Sequence, residues 1–263
     1  MGNATTQSLA AGRESIPAAS AADLSTATEL FAAARVIGGS SSLLAALTSF
    51  EAESAPKVSL TNAVFGASVS ATVLALLDGL VASRWSRPSD LLVAIEDLAI
   101  RVAARSAAPV QIDQELLGVA RTVASDHQLE LALGSKLSPA EAKLALANKL
   151  LGGKVSAASL LVVTHLVQQA RGRRIGQMLE QAARIAADQN GYLLATVSVA
   201  TPLQATQAAR LEQTLAKKYD SQIRLNLVTD PAVLGGIKVQ LGDDVIDGSI
   251  AARVAELKLK LVG

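Results

Sequence analysis

The sequence predicts an α+β protein that is mainly helical, with a duplicated N-terminal helical bundle followed by a small α/β domain. Half of the 263 residues are hydrophobic but only 2% are aromatic, a composition typical of closely packed helices built from alanine, leucine and valine. Apolar residues also recur at helical spacing over most of the chain. The α/β domain is predicted because β-branched and alternating segments follow Gly191.

The composition excludes several classes of function. Lys and Arg number 24 against 23 Asp and Glu, a net charge of +1, which differs from the basic balance of nucleic-acid-binding proteins. The chain has no cysteine and two histidines, His127 and His165. Thiol catalysis, disulfides and a histidine-based zinc site are therefore not expected, and we expect no catalytic residues, no cofactor and no metal ion.

The N-terminal part of the chain shows no targeting or membrane signal. Residues 1–20 lack a basic stretch followed by an apolar one, which argues against a secretory signal and predicts a cytoplasmic location. A long uncharged run, residues 58–77, is interrupted by polar residues or glycine at short intervals, unlike a membrane-spanning helix. We expect no membrane span, and residues 1–28 are expected to form a flexible leader.

The helical part contains an internal repeat. When the chain is shifted by 86 residues, residues 34–81 align with residues 120–167 without a gap, and 16 of these 48 positions are identical. Because the identical positions include Asn, Lys, Arg and Gly, a chance match of two alanine- and leucine-rich segments is the weaker explanation. We interpret the pattern as a duplication, with one copy at residues 29–107 and the second at residues 108–190.

Local signals predict where helices begin and end in the second copy. Ser138, Pro139 and Glu141 supply an N-cap, a first-turn proline and the partner of a capping box. Gly152 and Gly153 end that helix because glycine tolerates positive φ. Two longer amphipathic helices are predicted at residues 87–107 and 175–189.

The pattern changes at residue 191, where the predicted α/β domain begins and continues to residue 263. It is predicted to contain a strand at residues 192–200, a helix at 203–219, strands at 223–228, 236–241 and 245–246, and a final helix from Ser249. A turn at Gly242 would join the last two strands into a hairpin.

A spaced motif in this domain resembles a known family signature. Its residues are Asp230, Pro231, Gly235, Gly236, Gly242, Asp243, Ile246, Asp247, Gly248, Ser249 and Arg253. The motif closely resembles the C-terminal signature of the δ subunit of F-type ATP synthases, a family that includes the mitochondrial oligomycin-sensitivity-conferring protein. The order of domains is also similar, and the long N-terminal half resembles the actinobacterial form of the family. Val254 departs from the family pattern, which usually has leucine after the arginine.

The signature also has a physical interpretation. The glycine pair allows a bulge or a close backbone approach, and the Gly-Asp turn closes a hairpin. Asp247 and Ser249 can cap the final helix. Arg253 is predicted to bond back to one of these two residues and so hold the helix against the hairpin, with direct contact to a partner as the alternative.

The resemblance implies a non-catalytic stator subunit of a proton-translocating ATP synthase, located at the cytoplasmic face of the cell membrane as a peripheral protein. In the family the helical domain holds the N-terminal segments of α subunits, the C-terminal domain holds the C-terminal ends of b subunits, and each complex contains one copy. Which helical copy would bind the α subunits stays open, as does the role of the additional copy.

Other sites and functions are weaker alternatives. The run Arg171, Gly172, Arg173 and Arg174 lacks the aromatic platforms that bind single-stranded nucleic acid and is predicted to be an interhelix loop, although contact with an acidic partner segment stays open. His165 has no acidic or histidine partner four residues away and is predicted to lie on the flank of the bundle. A free helical adaptor that shares the fold is the main rival function, and an enzyme is a more distant one.

Overall fold

A computed structural model describes residues 2–16, 23–135, 137–230, 233–242, 244–250 and 252–254. Residues 250 and 252–254 belong to a final helix. The other elements are twelve helices and four strands: α1 (Asn3–Glu14), α2 (Leu24–Gly39), α3 (Ser41–Thr48), α4 (Ser54–Phe65), α5 (Ala71–Ala82), α6 (Pro88–Ser106), α7 (Ile112–Ser125), α8 (His127–Gly134), α9 (Ala140–Leu151), α10 (Ala157–Gln168), α11 (Ile175–Gln189), β1 (Tyr192–Val199), α12 (Ala205–Tyr219), β2 (Gln222–Thr229), β3 (Ile237–Leu241) and β4 (Asp244–Asp247). The predicted fold class is confirmed. The chain divides into a helical first unit, Met1–Ala186, and a second unit, Ala187–Gly263, that contains the sheet.

The 86-residue repeat is visible in the helix bounds of the first unit. Helices α3, α4 and α5 begin and end 86 residues before α8, α9 and α10, respectively. Burial repeats as well, since Leu47 and Leu133 are the buried residues of α3 and α8, and Lys57 and Lys143 are both buried. The repeat inferred from the sequence is therefore also a structural repeat.

A contact between helices recurs with the same offset. Glu29 Oε2 accepts a hydrogen bond from the N–H of Ser70 at 2.7 Å, and Glu115 Oε2 accepts one from the N–H of Ser156 at 3.0 Å. Ser70 and Ser156 are the N-caps of α5 and α10, and the hydroxyl of each accepts a bond from a backbone N–H of its helix. In both copies a carboxylate on the first long helix thus fixes the start of a later one.

Helix α6 lies at the centre of the first unit. Of its 19 residues 14 are buried, as expected for a helix covered on all sides. It packs against α1, α2, α3 and α5 and also against α10 of the second copy. Shifted by 86 residues, α1 falls within α6, so α6 takes the last place in the first copy and the first place in the second. The predicted division after residue 107 does not separate two domains, because both copies belong to one compact unit.

The N-terminal segment differs from the flexible leader that was predicted for residues 1–28. Residues 3–14 form α1, which packs against α5 and α6. Thr5 Oγ1 donates a hydrogen bond to the buried Asp90 Oδ2 at 2.7 Å. A Cβ at Gly12 would come within 3.0 Å of Leu80 Cδ2, so the small residues that suggested a leader instead allow close packing.

The start of α9 also differs from the prediction. The N-cap is Pro139, without a side-chain hydrogen bond, so the predicted capping box of Ser138 and Glu141 is not formed. The N–H of Ser138 donates to Ser135 Oγ at 3.2 Å, which places Ser138 in the preceding turn. Other bounds agree, since α9 ends before Gly152 as predicted and α6 and α11 match their predicted ranges within one residue.

The second unit contains a four-stranded mixed sheet in the order β2-β1-β3-β4. Strands β1 and β2 are parallel and are connected through α12, whereas β3 pairs antiparallel with both β1 and β4. The buried core of the sheet consists of Ala195, Val197, Val199, Leu215, Ile223, Val239 and Leu241. The strands predicted from the sequence are confirmed, and the last two form the predicted hairpin.

Candidate binding surfaces

The glycines of the C-terminal signature allow two backbone segments to lie against each other. Gly236 has φ +78°, and a Cβ there would overlap the carbonyl oxygen of Gly248, so only glycine fits this position without strain. The N–H of Gly248 donates to Ile237 O at 2.9 Å, and the N–H of Ile250 donates to Gly235 O at 3.1 Å. The structure therefore supports the predicted shaping role of the glycine pair.

Asp247 and Ser249 organise the start of the final helix, which includes residues 250 and 252–254. Asp247 Oδ1 accepts a hydrogen bond from the N–H of Ser249 at 2.9 Å, and Ser249 Oγ accepts one from the N–H of Ala252 at 3.2 Å. The hydrogen bonds from Ser249 hold the pKa of Asp247 below its ordinary value.

The other signature residues lie around the same sheet. Gly242, with φ +61°, forms the turn between β3 and β4, and Ile246 packs against the core of the sheet. The N–H of Asp230 donates to Val199 O at 2.9 Å. Pro231 and Asp243 lie outside the described residues, so their predicted roles stay predictions.

Arg253 does not form the predicted bond to Asp247 or Ser249. Its side chain is exposed and, among the residues that the structure describes, its only hydrogen bond is from its backbone N–H to Ser249 O. The side chains of Ile250 and Val254 are also exposed, by 54% and 44%, and Leu234 is exposed by 78%. We call Leu234, Ile250 and Val254 the C-terminal apolar patch, and Arg253 lies beside it in the sequence.

A second polar feature is a buried cluster in the first unit, which we call the Glu96 cluster. Glu96 Oε1 accepts a hydrogen bond from Arg171 Nη2 at 2.8 Å, and Oε2 accepts one from Arg173 Nη2 at 3.3 Å. His165 Nε2 lies 3.4 Å from Glu96 Oε1, and the His165 ring stacks on Phe31 at 4.1 Å between ring centroids. The cluster therefore joins α2 and α6 to α10 and the loop that follows it.

Burial and charge act in opposite directions within the Glu96 cluster. Burial alone would raise the pKa of Glu96, but the hydrogen bond from His165 and the charges of Arg171 and Arg173 outweigh it, so the pKa lies below its ordinary value. Burial lowers the pKa of His165 despite the opposing effect of Glu96. The pair is therefore an ionised glutamate beside a neutral histidine that donates from Nε2.

The sequence located the arginines of this cluster but not their partner. The run at residues 171–174 is an interhelix loop, as predicted, yet two of its arginines bind Glu96 of the same chain. His165, predicted on the flank of the bundle, is 1% exposed. Glu96 was not recognised, although two adjacent acids inside the apolar helix α6 were a signal that buried partners must exist.

The first unit is expected to lose stability as the pH falls below about 6.5. Below that pH His165 is protonated in the unfolded chain, whereas the buried side chain of the folded state binds a proton less readily because its pKa is lowered. A further loss of stability is expected in more acidic solution as Glu96 is protonated, because its pKa is lower in the folded state. His165→Gln should reduce the pH dependence of stability above pH about 5, whereas His127→Gln, at an exposed position, should not. The fluorescence of Trp85, buried in the first unit, would follow unfolding, and equal pH dependence in both variants would contradict this prediction.

An open apolar groove lies between α7, α8, α9 and α10, and we call it the second-copy groove. Its volume is about 430 Å³, and its aliphatic lining consists of Val119, Val123, Leu129, Leu133, Ala147, Leu150, Leu151, Val155 and Val163. Glu115, Gly118 and Lys154 also line it. A groove of this kind suits the apolar face of an amphipathic helix.

Among the described residues, no group of three or more His, Asp or Glu side chains is placed to hold a metal ion. No single helix there has both the length and the apolar character to cross a membrane. Helices α2 and α3 meet those criteria only when taken together, and they are bent by 104° at their junction.

A family profile and curated relatives agree on one family. The sequence profile of the ATP synthase delta (OSCP) subunit matches residues 98–261. The ATP synthase subunit delta of Leifsonia xyli subsp. xyli is 46% identical over the full length of both chains, and that of Streptomyces griseus subsp. griseus is 36% identical, also over full length. A chain in the cryo-EM structure of the Toxoplasma gondii mitochondrial ATP synthase hexamer is 18% identical with a TM-score of 0.41, covering 64% of this chain and 96% of that one.

Proposed function

Because this chain belongs to the ATP synthase delta (OSCP) subunit family, we propose that it is a non-catalytic peripheral-stalk subunit of an F-type ATP synthase. It ties the catalytic α/β head to the b-subunit stalk, so that rotation of the rotor is coupled to ATP synthesis. The observation that supports this role is that each unit presents its own apolar surface. A static link needs two such surfaces and no reacting groups.

The two surfaces suggest how the partners are divided. In this proposal N-terminal segments of α subunits bind the first unit, where the second-copy groove is open. The C-terminal ends of b subunits bind the second unit at the C-terminal apolar patch. The protein would be present once per complex, as a peripheral protein at the cytoplasmic face of the cell membrane.

The direct test is a pull-down from detergent-solubilised membranes with the tagged full chain, followed by identification of the co-purifying polypeptides and an assay of ATP hydrolysis. We expect α, β and b subunits together with ATPase activity. If none of these subunits is recovered, the stator role is rejected and a free helical adaptor that shares the fold becomes the better explanation.

Arg253→Ala is expected to weaken recovery of b subunits without destabilising the second unit. The side chain is exposed and unpaired within the described residues, so the free energy of unfolding should change by less than about 0.5 kcal/mol. Loss of a contact at the edge of an interface should reduce b-subunit binding about three- to tenfold.

The matched control for Arg253→Ala is Arg210→Ala, an exposed arginine on α12. The test compares b-subunit recovery and thermal unfolding for the two variants and the unchanged protein. A lower melting temperature for Arg253→Ala would indicate the bond within the chain that the sequence predicted. Equal b-subunit recovery for both variants would contradict the proposed contact.

A further inference from the structure

A cleft in the first helical copy brings two cationic side chains to the start of a helix. Its volume is about 400 Å³, and its lining consists of Phe50, Ala52, Glu53, Ser54, Ala55, Lys57, Ala82 and Arg84. These residues come from the connection between α3 and α4, the first turn of α4, and the end of α5 with the loop that follows it. We call it the Lys57 cleft, and it shares no residue with the second-copy groove.

The ammonium group of Lys57 is largely buried and has no acceptor. The residue is 6% exposed, and its Nζ donates to no group within the described part of the chain. Lys143, its equivalent in the second copy, donates from Nζ to Val167 O at 3.2 Å, whereas Lys57 makes no such bond to the equivalent carbonyl of Val81. A buried ammonium without an acceptor lowers stability, and a bound anion would offset that loss.

The first turn of α4 adds two backbone donors to the cleft. The N-cap residue Glu53 makes no side-chain capping bond. The N–H groups of Ser54 and Ala55 find no acceptor among the residues that the structure describes, and both residues line the cleft. Because the N-terminus of a helix carries positive partial charge, such amides favour an anion.

Arg84 supplies the third kind of donor, from the loop after α5. Its guanidinium carbon lies 5.1 Å from the centre of the Phe50 ring, and its carbonyl oxygen accepts a hydrogen bond from Ser8 Oγ at 2.8 Å. The next residue, Trp85, donates from Nε1 to Leu80 O at 2.9 Å. These contacts fix the loop, so the guanidinium is held at the cleft before a ligand arrives.

We propose that the Lys57 cleft binds a phosphate group. An ammonium, a guanidinium fork and two helix N-terminal amides are the donors that suit the oxygens of phosphate. Glu53 is the one carboxylate of the lining, so two cationic side chains and one anionic side chain leave a net positive cleft. Free phosphate and the phosphate of a nucleotide share this chemistry. The proposal does not depend on the stator role, because it assigns the first copy a ligand of its own.

The repeat provides a matched pair of variants. Lys57→Met removes the charge, keeps the length of the side chain and breaks no hydrogen bond of the described chain, so the first unit should stay folded. Lys143→Met makes the same change at the equivalent position of the second copy. Arg84→Gln removes the guanidinium, and Glu53→Gln removes the opposing carboxylate.

The first experiment titrates the full chain with sodium phosphate at constant ionic strength and follows the fluorescence of Trp85, the single tryptophan. We expect a saturable change. Lys57→Met should weaken phosphate binding about tenfold or more and Arg84→Gln about fivefold, as for charge-assisted hydrogen bonds. Lys143→Met should leave the affinity unchanged, and Glu53→Gln should increase it.

A second measurement compares thermal unfolding with and without phosphate. Phosphate raises the melting temperature of most proteins by exclusion from their surface, so the informative quantity is the difference between variants. The increase should be smaller for Lys57→Met than for the unchanged protein and Lys143→Met, because only the latter two bind the ligand. Equal increases in all three proteins would contradict a site at Lys57.

Titrations with AMP and acetate, followed by NMR, identify the ligand class. Tighter binding of AMP than of phosphate, lost with Lys57→Met, would support the site and identify a nucleotide as the source of the phosphate group. Equal or weaker binding of AMP would support the site and identify free phosphate. The proposal is overturned if neither phosphate nor AMP gives a saturable response, if Lys57→Met retains the response, or if acetate binds as tightly as phosphate.

Discussion

Glu96→Ala is expected to lower the free energy of unfolding of the first unit by about 3 kcal/mol. The substitution leaves the buried His165 and the two arginines of the Glu96 cluster without their common acceptor. The estimate is at the low end for a broken buried ion pair because the side chains of Arg171 and Arg173 are 28% and 40% exposed and can be partly hydrated. Urea unfolding followed by Trp85 fluorescence measures the effect in this unit.

Two further variants serve as comparisons for Glu96→Ala. Glu51→Ala removes an exposed carboxylate from the same unit and should change stability by less than about 0.5 kcal/mol. Glu96→Gln keeps the shape and one acceptor and should cost less than Glu96→Ala. If Glu96→Ala unfolds at the same urea concentration as the unchanged protein, the cluster does not hold α6 to α10 as the distances indicate.

Gly236→Ala is expected to destabilise the second unit by about 3 kcal/mol. Two effects add, because alanine is strained at φ +78° and its Cβ would overlap the carbonyl oxygen of Gly248. Relief of the overlap would require the hairpin and the start of the final helix to separate, so b-subunit binding should be lost as well. Amide hydrogen exchange in β3 and β4 measures the change in stability.

Gly242→Ala is the matched control for Gly236→Ala. Gly242 also has positive φ, +61°, but a Cβ there would meet nothing within 4 Å. Only the backbone strain remains, so this variant should cost about 1 kcal/mol. Similar exchange rates in the two variants would mean that the close approach of Gly236 to Gly248 contributes little to stability.

Local signals in the sequence predicted the helices and strands well, but they did not predict contacts between residues that are far apart in the sequence. Pro88 begins the long helix α6 and Gly191 follows α11, because both residues act on their own backbone. The positions four residues from His165 hold no acidic partner, and Glu96 lies 69 residues away in sequence. The periodicity of a single helix does not indicate which distant residue a buried side chain contacts.

The two largest differences have a common physical origin. The small side chains of α1 were typical of a loose leader, but small residues also permit close docking when a complementary helix is available. Arg253 was expected to bond within the chain, because a long side chain near a turn has local acceptors. Its exposed position followed instead from how the final helix presents one side to solvent, and local sequence does not decide that.

Helix α6 has a mechanical consequence. Duplicated domains are usually joined by a linker, and a linker is where a chain bends under load. Here the junction is itself a helix about 28 Å long, buried for most of its length and built into both halves. Rotation of one helical copy relative to the other would require breaking α6 or losing the contacts that bury it. If the chain has the proposed stator role, this junction would resist the torque of the rotor, and elastic deformation would have to occur elsewhere in the stalk.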